Sequence, residues 1–185
     1  MNMDEEICLE DFLVTKKQKA FEHNFFKHAD KFEKWEEVDF DGIYENERTF
    51  VVEAEDIKIY SEGIADDNPL FNDEKAARNG PYKELIAHPL FLTPIGFWFT
   101  GDGGPGSWVK TPGAINPGQK IEFYEPIRVG DVITQKAKFF DKWIKRGKRY
   151  LTYESEFWNQ EKKLVAKWWI TLIIPKSKEK MSHQF

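Results

Sequence analysis

The sequence feature that most constrains the fold is an uncharged segment that is apolar on all sides. From Pro89 to Phe99 it reads Pro-Leu-Phe-Leu-Thr-Pro-Ile-Gly-Phe-Trp-Phe. A helix that is apolar around its whole circumference has to be buried. Pro89 suits a first helical turn, where its missing N–H is not needed, whereas Pro94 predicts a kink or a restart. The segment therefore predicts a buried, imperfect helix.

The last third of the chain predicts a β meander. Turn residues separate four strand-like runs, at 120–124, 131–143, 149–158 and 163–174. The third run alternates apolar and polar residues, which is typical of a sheet with one covered face. The fourth is apolar on both faces, so we expect one face to meet the helix and the other a second subunit. Short helices followed by an antiparallel meander indicate the α+β class.

Shorter elements are predicted on either side of the buried segment. Residues 39–46 are predicted to be a connector, 48–53 a strand, and 55–63 a helix with Ile57, Tyr60 and Ile64 on one face. Residues 65–84 predict irregular structure with one short helical piece at 73–78. Residues 101–119 contain six Gly and three Pro, which predicts a long loop. Loops of this length are often functional.

The N-terminal region predicts a helical appendage to a single domain. Apolar residues recur there at helical spacing and form an aromatic stripe that we expect to pack on the body or on a partner: Phe21, Phe25, Phe26, Ala29, Phe32 and Trp35. A chain of 185 residues is one domain, or one domain with an appendage. We therefore predict an extension over 1–44, a domain over 45–175 and a polar tail over 176–185.

Composition excludes several classes of function. The net charge of −5 comes from interspersed acidic and basic residues, whereas a nucleic-acid partner requires a basic stripe. Cys8 is the single cysteine, and the four His, at 23, 28, 88 and 183, lack an established metal-ligand spacing, so no metal site is predicted. The acidic N-terminus is unlike a signal peptide, and no apolar run approaches the roughly 20 residues that span a bilayer. We expect a soluble cytoplasmic protein.

Three short strings carry a family resemblance. The first is Ile64-Ala-Asp-Asp-Asn-Pro-Leu-Phe-Asn-Asp73, the second is Leu85-Ile-Ala-His-Pro-Leu-Phe-Leu92, and the third is Phe123-Tyr-Glu-Pro-Ile-Arg-Val-Gly-Asp131. In this order, over residues 45–175, they resemble the MaoC-like hydratase/dehydratase family, and most closely its FAS1-like dehydratase subfamily. The resemblance implies a hot-dog fold, in which about five antiparallel strands wrap around a long central helix. Two such folds side by side usually form one functional unit.

The resemblance also implies site residues, with two departures. Asp66 stands at the position of the catalytic Asp, and Asn68 at that of the Asn that holds the turn. Phe71 replaces the catalytic His and cannot transfer a proton. Pro89 replaces the Gly at the start of the central helix, where the family offers a backbone N–H to the thioester oxygen, and proline has no N–H. Each loss corresponds to ~10²–10⁴ in rate, and the two together indicate a pocket that binds without catalysing.

The retained residues have structural alternatives. Asp66 is also a good Asx-turn residue, and His88 could cap the helix instead of contacting substrate. The basic residues around one hairpin form either a solvated face or a site for the phosphates of coenzyme A: Lys136, Lys138, Lys142, Lys145, Arg146 and Lys148. The predicted substrate-binding set is Asp66, Asn68, Phe71, His88, Phe97 and Trp98.

The sequence therefore predicts a non-catalytic subunit of a heteromeric enoyl-CoA hydratase or 3-hydroxyacyl dehydratase. A MaoC-like partner would hold the intact dyad. The ligand would be an acyl-CoA or acyl-ACP thioester, with no cofactor beyond the coenzyme A of the substrate. The alternatives are a self-sufficient hydratase that uses Asp66 and His88, an acyl-thioester binding module, and a hot-dog thioesterase.

Overall fold

The structure, a computed structural model, describes residues 9–21, 35–100 and 113–175. Its helices are α1 (Lys16–Ala20), α2 (Ala54–Gly63), α3 (Pro69–Asn72), α4 (Glu74–Asn79) and α5 (Leu92–Phe99), with 3₁₀ turns at Leu9–Phe12, Trp35–Glu37 and Pro89–Phe91. Its strands are β1 (Tyr44–Glu45), β2 (Phe50–Val51), β3 (Ile115–Phe123), β4 (Val132–Lys145), β5 (Lys148–Trp158) and β6 (Leu164–Ile174). Across the described ranges, no helix is long and apolar enough to cross a bilayer.

The strands form an antiparallel sheet in the order β1-β4-β5-β6-β3, and β2 also pairs with β4. The four long strands correspond to the four predicted strand-like runs. The first of them, β3, pairs with β6 and not with β4, the next strand in sequence. The α+β class and an antiparallel sheet of about five strands are confirmed.

The helix α5 packs directly on the sheet. Gly96 faces the indole of Trp168 in β6 so closely that a Cβ at this position would overlap with Cζ3 and lie 3.0 Å from Cε3. Phe99 contacts Phe157 of β5, with ring centroids 6.2 Å apart. The end of the helix is tied by Asn46, whose Nδ2 donates to the Phe99 carbonyl at 2.7 Å. Buried side chains of α5, β5 and β6 thus form one continuous core.

The two prolines of the apolar segment set where the helix starts. Pro89 begins the 3₁₀ turn, as predicted. Pro94 is the third residue of α5, where a backbone N–H has no partner within the helix, so the α-helix restarts at Leu92 and Pro94 causes no break. In the described residues this central element has only eight α-helical residues after the 3₁₀ turn, so the expected long helix is wrong for the part that the structure describes.

Strand β5 is covered on both faces, which differs from the prediction. Leu151, Tyr153, Ser155 and Phe157 are buried against the helix as expected, but Thr152 and Glu154 of the opposite face are buried too. The cover comes from cross-strand partners: Glu154 accepts from Trp169 Nε1 at 2.7 Å and pairs with Lys138 at 3.3 Å. A central strand gains such partners from both neighbours.

Several predicted boundaries were wrong. The strand over 48–53 is reduced to β2, and β1 lies in the predicted connector. The predicted loop 101–119 already contains the start of β3, with Pro117 inside the strand and a register shift between Ile115 and Gly118. An edge strand tolerates a proline at such an irregularity. Helix α3 was not predicted. Most of the N-terminal aromatic stripe lies outside the described residues.

Prediction: Gly96→Ala lowers the free energy of unfolding by about 1–3 kcal/mol, because the added methyl group overpacks the contact with Trp168. The matched control is Gly63→Ala at the end of α2, where an added Cβ meets no heavy atom within 4 Å. We expect the control to be neutral or to stabilise by about 0.5–1 kcal/mol. Urea denaturation measures both, and equal effects would show that the Gly96 contact does not limit packing.

Candidate functional site

The loop between α2 and α3 is held by short polar side chains. Asp66 Oδ1 accepts from the Asn68 N–H at 3.0 Å, which makes an Asx turn. Asn68 Oδ1 in turn accepts from the Leu70 N–H at 3.1 Å and caps α3, whose first residue is Pro69. Asn72 Nδ2 donates to the Asp66 carbonyl at 2.6 Å. The turn thus uses one carboxylate oxygen of Asp66 and leaves Oδ2 for another partner.

His88 is that partner, and it also caps the 3₁₀ turn. Its Nδ1 accepts from the Leu90 N–H at 3.1 Å, while its Nε2 lies 3.9 Å from Asp66 Oδ2. Since Nδ1 is the acceptor, the neutral imidazole carries its hydrogen on Nε2, facing the carboxylate. The distance exceeds that of a direct hydrogen bond, so a hydroxyl group between the two side chains can bond to both. His88 therefore caps the turn and also faces Asp66.

Phe71 occupies a buried position against His88. Its side chain is only 8% exposed, and its ring lies edge-on to the imidazole with centroids 5.5 Å apart. The position at which the sequence resemblance implies a proton-transferring His is thus filled by an apolar ring. Its contact with His88 is one of packing alone.

The backbone N–H groups that follow His88 are all absent or engaged. Pro89 has none. The Leu90 N–H is bound to His88 Nδ1, the Phe91 N–H to the His88 carbonyl at 2.8 Å, and the Leu92 N–H to the Leu90 and Pro89 carbonyls. The start of this helix therefore offers no free N–H to a thioester oxygen.

Two apolar clefts flank the Asp66–His88 pair. The Trp98 cleft has a volume of about 240 Å³, and its apolar wall includes Phe50, Tyr60, Phe91, Pro94, Phe97 and Trp98. The Tyr82 cleft has a volume of about 370 Å³, and its wall includes Leu70, Phe71, Tyr82, Pro89, Phe123 and Tyr124. The rings of Tyr60, in the Trp98 cleft, and His88 lie 6.1 Å apart between centroids. The His88 ring also packs against Phe71, in the Tyr82 cleft. The pair thus lies between the two clefts.

Burial raises the pKa of Tyr60. Its hydroxyl therefore stays protonated at neutral pH and remains a hydrogen-bond donor. Tyr60 was predicted only as one apolar position of α2, because helical spacing shows which face is buried but not what that face contacts.

The structure brings together four of the six predicted site residues. Asp66, Asn68, Phe71 and His88 lie in one cluster, and Phe97 and Trp98 line the neighbouring Trp98 cleft. Asn72 was missed although it completes the turn, because an Asn three residues after a proline carries no distinctive signal.

The predicted basic cluster is dispersed. Lys136 pairs with Glu45 at 2.5 Å, and Lys142 lies over the ring of Trp35. The hairpin tip at 145–148 lies roughly 40 Å along β4 from Val132, at a rise of about 3.3 Å per residue. The start of β4 is the end nearest the site, since Ala87 N–H donates to the Ile127 carbonyl at 2.8 Å. This geometry favours a solvated face over phosphate capture beside Asp66.

Over the ranges 9–21, 35–100 and 113–175, no group of three His, Cys, Asp or Glu side chains is arranged to hold a metal ion. Cys8, His23, His28 and His183 lie outside those ranges.

A helix packed on an antiparallel sheet is the arrangement of the hot-dog fold. The family described as FAS1-like, dehydratase domain region, matches residues 41–168. Since this is well over half of the chain, the protein belongs to that family.

Three similar proteins illustrate the relationship. A UPF0336 protein of Thermobifida fusca is 29% identical over 61% of this chain and 76% of its own length. A 3-hydroxybutyryl-CoA dehydratase of Methylorubrum extorquens is 29% identical over 47% of this chain and 52% of its own, so the chain spans about half of that relative. The C-terminally truncated HadBC (3R-hydroxyacyl-ACP dehydratase) complex of Mycobacterium tuberculosis matches with a TM-score of 0.63 at 21% identity, over 72% of this chain and 95% of that one. The last likeness shows the fold.

Prediction: Asn68→Ala lowers the free energy of unfolding by about 1 kcal/mol, because α3 loses the side-chain oxygen that caps it. Asn68→Asp keeps an oxygen at the same place and serves as the matched control, with little expected change. Urea denaturation compares the two. An equal loss in both variants would show that the amide nitrogen, and not the cap, gives Asn68 its role.

Proposed function

We propose that this chain is a non-catalytic subunit of a heteromeric acyl-thioester hydratase or dehydratase. Its partner is a MaoC-like chain with an intact Asp/His dyad. This chain completes the double hot dog and contributes apolar walls for the acyl group of an acyl-CoA or acyl-ACP substrate. Because such a thioester is highly charged and does not cross membranes, the complex works where the thioester is made, which we take to be the cytoplasm.

The observation that carries the proposal is the engaged backbone at the start of the central helix. Hydration of a 2-enoyl thioester builds negative charge on the thioester oxygen, and a free N–H at that point would stabilise it. Here Pro89 has no N–H, and those of Leu90, Phe91 and Leu92 are bound within the turn. The apolar Phe71 removes the second catalytic group. Both losses remove groups that would act on the substrate, whereas the turn around Asp66 is kept.

The edge of the sheet supports a partner. β3 is the last strand in the order, so one side of its backbone is free for another chain among the described strands. Unpaired edges are templates for strand pairing unless they are covered. Ile115 and Phe123 at the ends of this strand, and Tyr124 beyond it, are exposed large apolar side chains. The relative HadBC is itself named as a complex.

Prediction: the double variant Phe71→His, Pro89→Gly gains hydration activity towards a short 2-enoyl-CoA, by ~10² or more over the natural chain. The two changes restore a proton-transferring group beside Asp66 and an N–H at the start of the helix. Loss of absorbance of the enoyl thioester measures the rate.

The matched control adds Asp66→Asn to the double variant. This change keeps the Asx-turn acceptor but removes the ionisable group, so the gained activity should disappear. Efficient hydration by the natural chain alone would contradict the proposal.

A second function has one specific observation in its favour. The 3.9 Å between His88 Nε2 and Asp66 Oδ2 places a His beside the family Asp from a different part of the chain. The two groups could together hold the water or hydroxyl of a substrate, which makes a self-sufficient hydratase with a relocated His the alternative function.

Prediction: His88→Asn separates the two functions. Asn keeps a side-chain oxygen that can cap the turn at Leu90 but cannot transfer a proton. For a non-catalytic subunit, the hydration rate of the complex with a dyad-bearing MaoC-like chain changes by less than threefold. For a self-sufficient hydratase, the rate of the chain alone falls by ~10²–10⁴. Asp67→Asn, a change at an exposed position of the same loop, is the control.

A further inference from the structure

The N-terminal extension forms part of the Trp98 cleft. Thr15, Lys17, Gln18 and Phe21 line it together with residues of α2 and α5. The segment 15–21 has its own local order: Thr15 caps α1, accepting from the Gln18 N–H at 3.1 Å, and Gln18 Oε1 accepts from the Thr15 N–H at 2.8 Å. This reciprocal capping box stabilises a helix too short to persist alone. The segment is therefore a preformed wall.

Lys17 attaches this wall to the body of the protein. Its Nζ lies 2.6 Å from Asp56 Oδ2 and also bonds to Glu53 at the start of α2. The ammonium group lies 5.2 Å from the centroid of the Phe50 ring, which also lines the cleft. Asp56 is buried. Because a buried carboxylate is costly without a partner, the body of the protein favours the state in which Lys17 is docked.

The charges of this attachment are stable near neutral pH. Burial by itself lowers the pKa of Lys17, but the hydrogen bonds to Asp56 and Glu53 outweigh it, so that the pKa is raised. The hydrogen bond from Lys17 lowers the pKa of Glu53. The Lys17 contribution is present below its ordinary pKa of 10.5 and is lost only as pH rises through the raised value. The Glu53 contribution is present above 4.5 and is lost as pH falls through the lowered value.

We propose that segment 15–21, held by Lys17 on Asp56 and Glu53, is the wall against which the distal part of a medium-length acyl chain packs. Lys17 is thus a specificity-determining residue that acts through the position of this wall. The inference rests on the proposed function, since it takes the ligand to be an acyl thioester.

The shape and position of the cleft support this ligand. Tyr60 connects the cleft to His88, at 6.1 Å between ring centroids, so an acyl chain that passes His88 enters the cleft along Tyr60. The volume of about 240 Å³ far exceeds the roughly 10–15 Å³ that a single water-sized group requires on the same measure. Tyr60 is the wall residue that contacts His88, and Phe21 belongs to segment 15–21 of the same cleft, so we expect a four-carbon acyl group to end near Tyr60 and an eight-carbon group to reach Phe21.

The test compares Lys17→Met with the natural full-length chain. Binding of butyryl-CoA and octanoyl-CoA is measured by titration calorimetry. We expect the preference for octanoyl-CoA, expressed as the ratio of the two dissociation constants, to fall about tenfold in Lys17→Met, with butyryl-CoA binding unchanged. Tenfold corresponds to about 1.4 kcal/mol, the burial of roughly two methylene groups.

Three further variants make the result specific. Lys17→Arg keeps the charge and should retain the preference. Phe21→Ala removes an apolar part of the wall without touching the ion pair and should reproduce the loss. Lys58→Met breaks an exposed ion pair between α2 and Glu74, at 2.7 Å. This variant should leave the ratio of the two dissociation constants unchanged.

Other outcomes distinguish a failure of the proposed wall from a failure of the proposed acyl-thioester function. An unchanged ratio in both Lys17→Met and Phe21→Ala overturns the wall but leaves the proposed function intact. Tighter octanoyl-CoA binding in Lys17→Met also overturns it, because the segment would then occlude the cleft. If the natural chain binds octanoyl-CoA no better than free coenzyme A, the acyl-thioester function fails, and the wall fails with it.

Discussion

The contact between Gly96 and Trp168 is the constraint on which the rest of the structure depends. The missing side chain lets the helix lie directly on the sheet, at the depth where the indole fills the space that a Cβ would take. With the helix at this depth, Phe99 reaches Phe157, and the opposite end of the apolar segment brings His88 next to the loop of Asp66. A helix held further out would separate these two residues and widen both clefts. Packing density thus sets the geometry of the site.

Polar capping then decides what the site can do. Two side chains satisfy the ends of short helices, Asn68 for α3 and His88 for the 3₁₀ turn. The family resemblance of the sequence predicts the same two side chains to be site residues. Helix ends leave N–H groups that need acceptors, and in this chain those acceptors are all local. A turn whose donors are satisfied internally is rigid but has nothing to offer a developing oxyanion. Under the proposed function, the fixed shape of the turn and the loss of catalysis have one cause.

Much of the fold could be predicted from local patterns. Helical spacing predicted α2, alternation and turn residues predicted β4 to β6, and the uncharged run predicted α5, because periodicity reports burial of one face. The missed elements are those with little periodicity of their own: the two-residue strands β1 and β2, the four-residue α3, and the early start of β3. The strands form because distant segments supply their hydrogen bonds, which no local pattern records. Helix α3 has local hydrogen bonds but is too short to show helical periodicity.

For the site, the sequence by itself determined which groups are present and which are missing: Asp66 and Asn68 in a turn, no His at 71 and no N–H at 89. These follow from residue type alone. Only the tertiary structure decided that His88 faces Asp66 at 3.9 Å and that Lys17 meets Asp56, 39 positions away. The physical reason is that such pairs depend on the packing of α5 and of the extension on the body, and packing joins residues whose distance along the chain carries no signal.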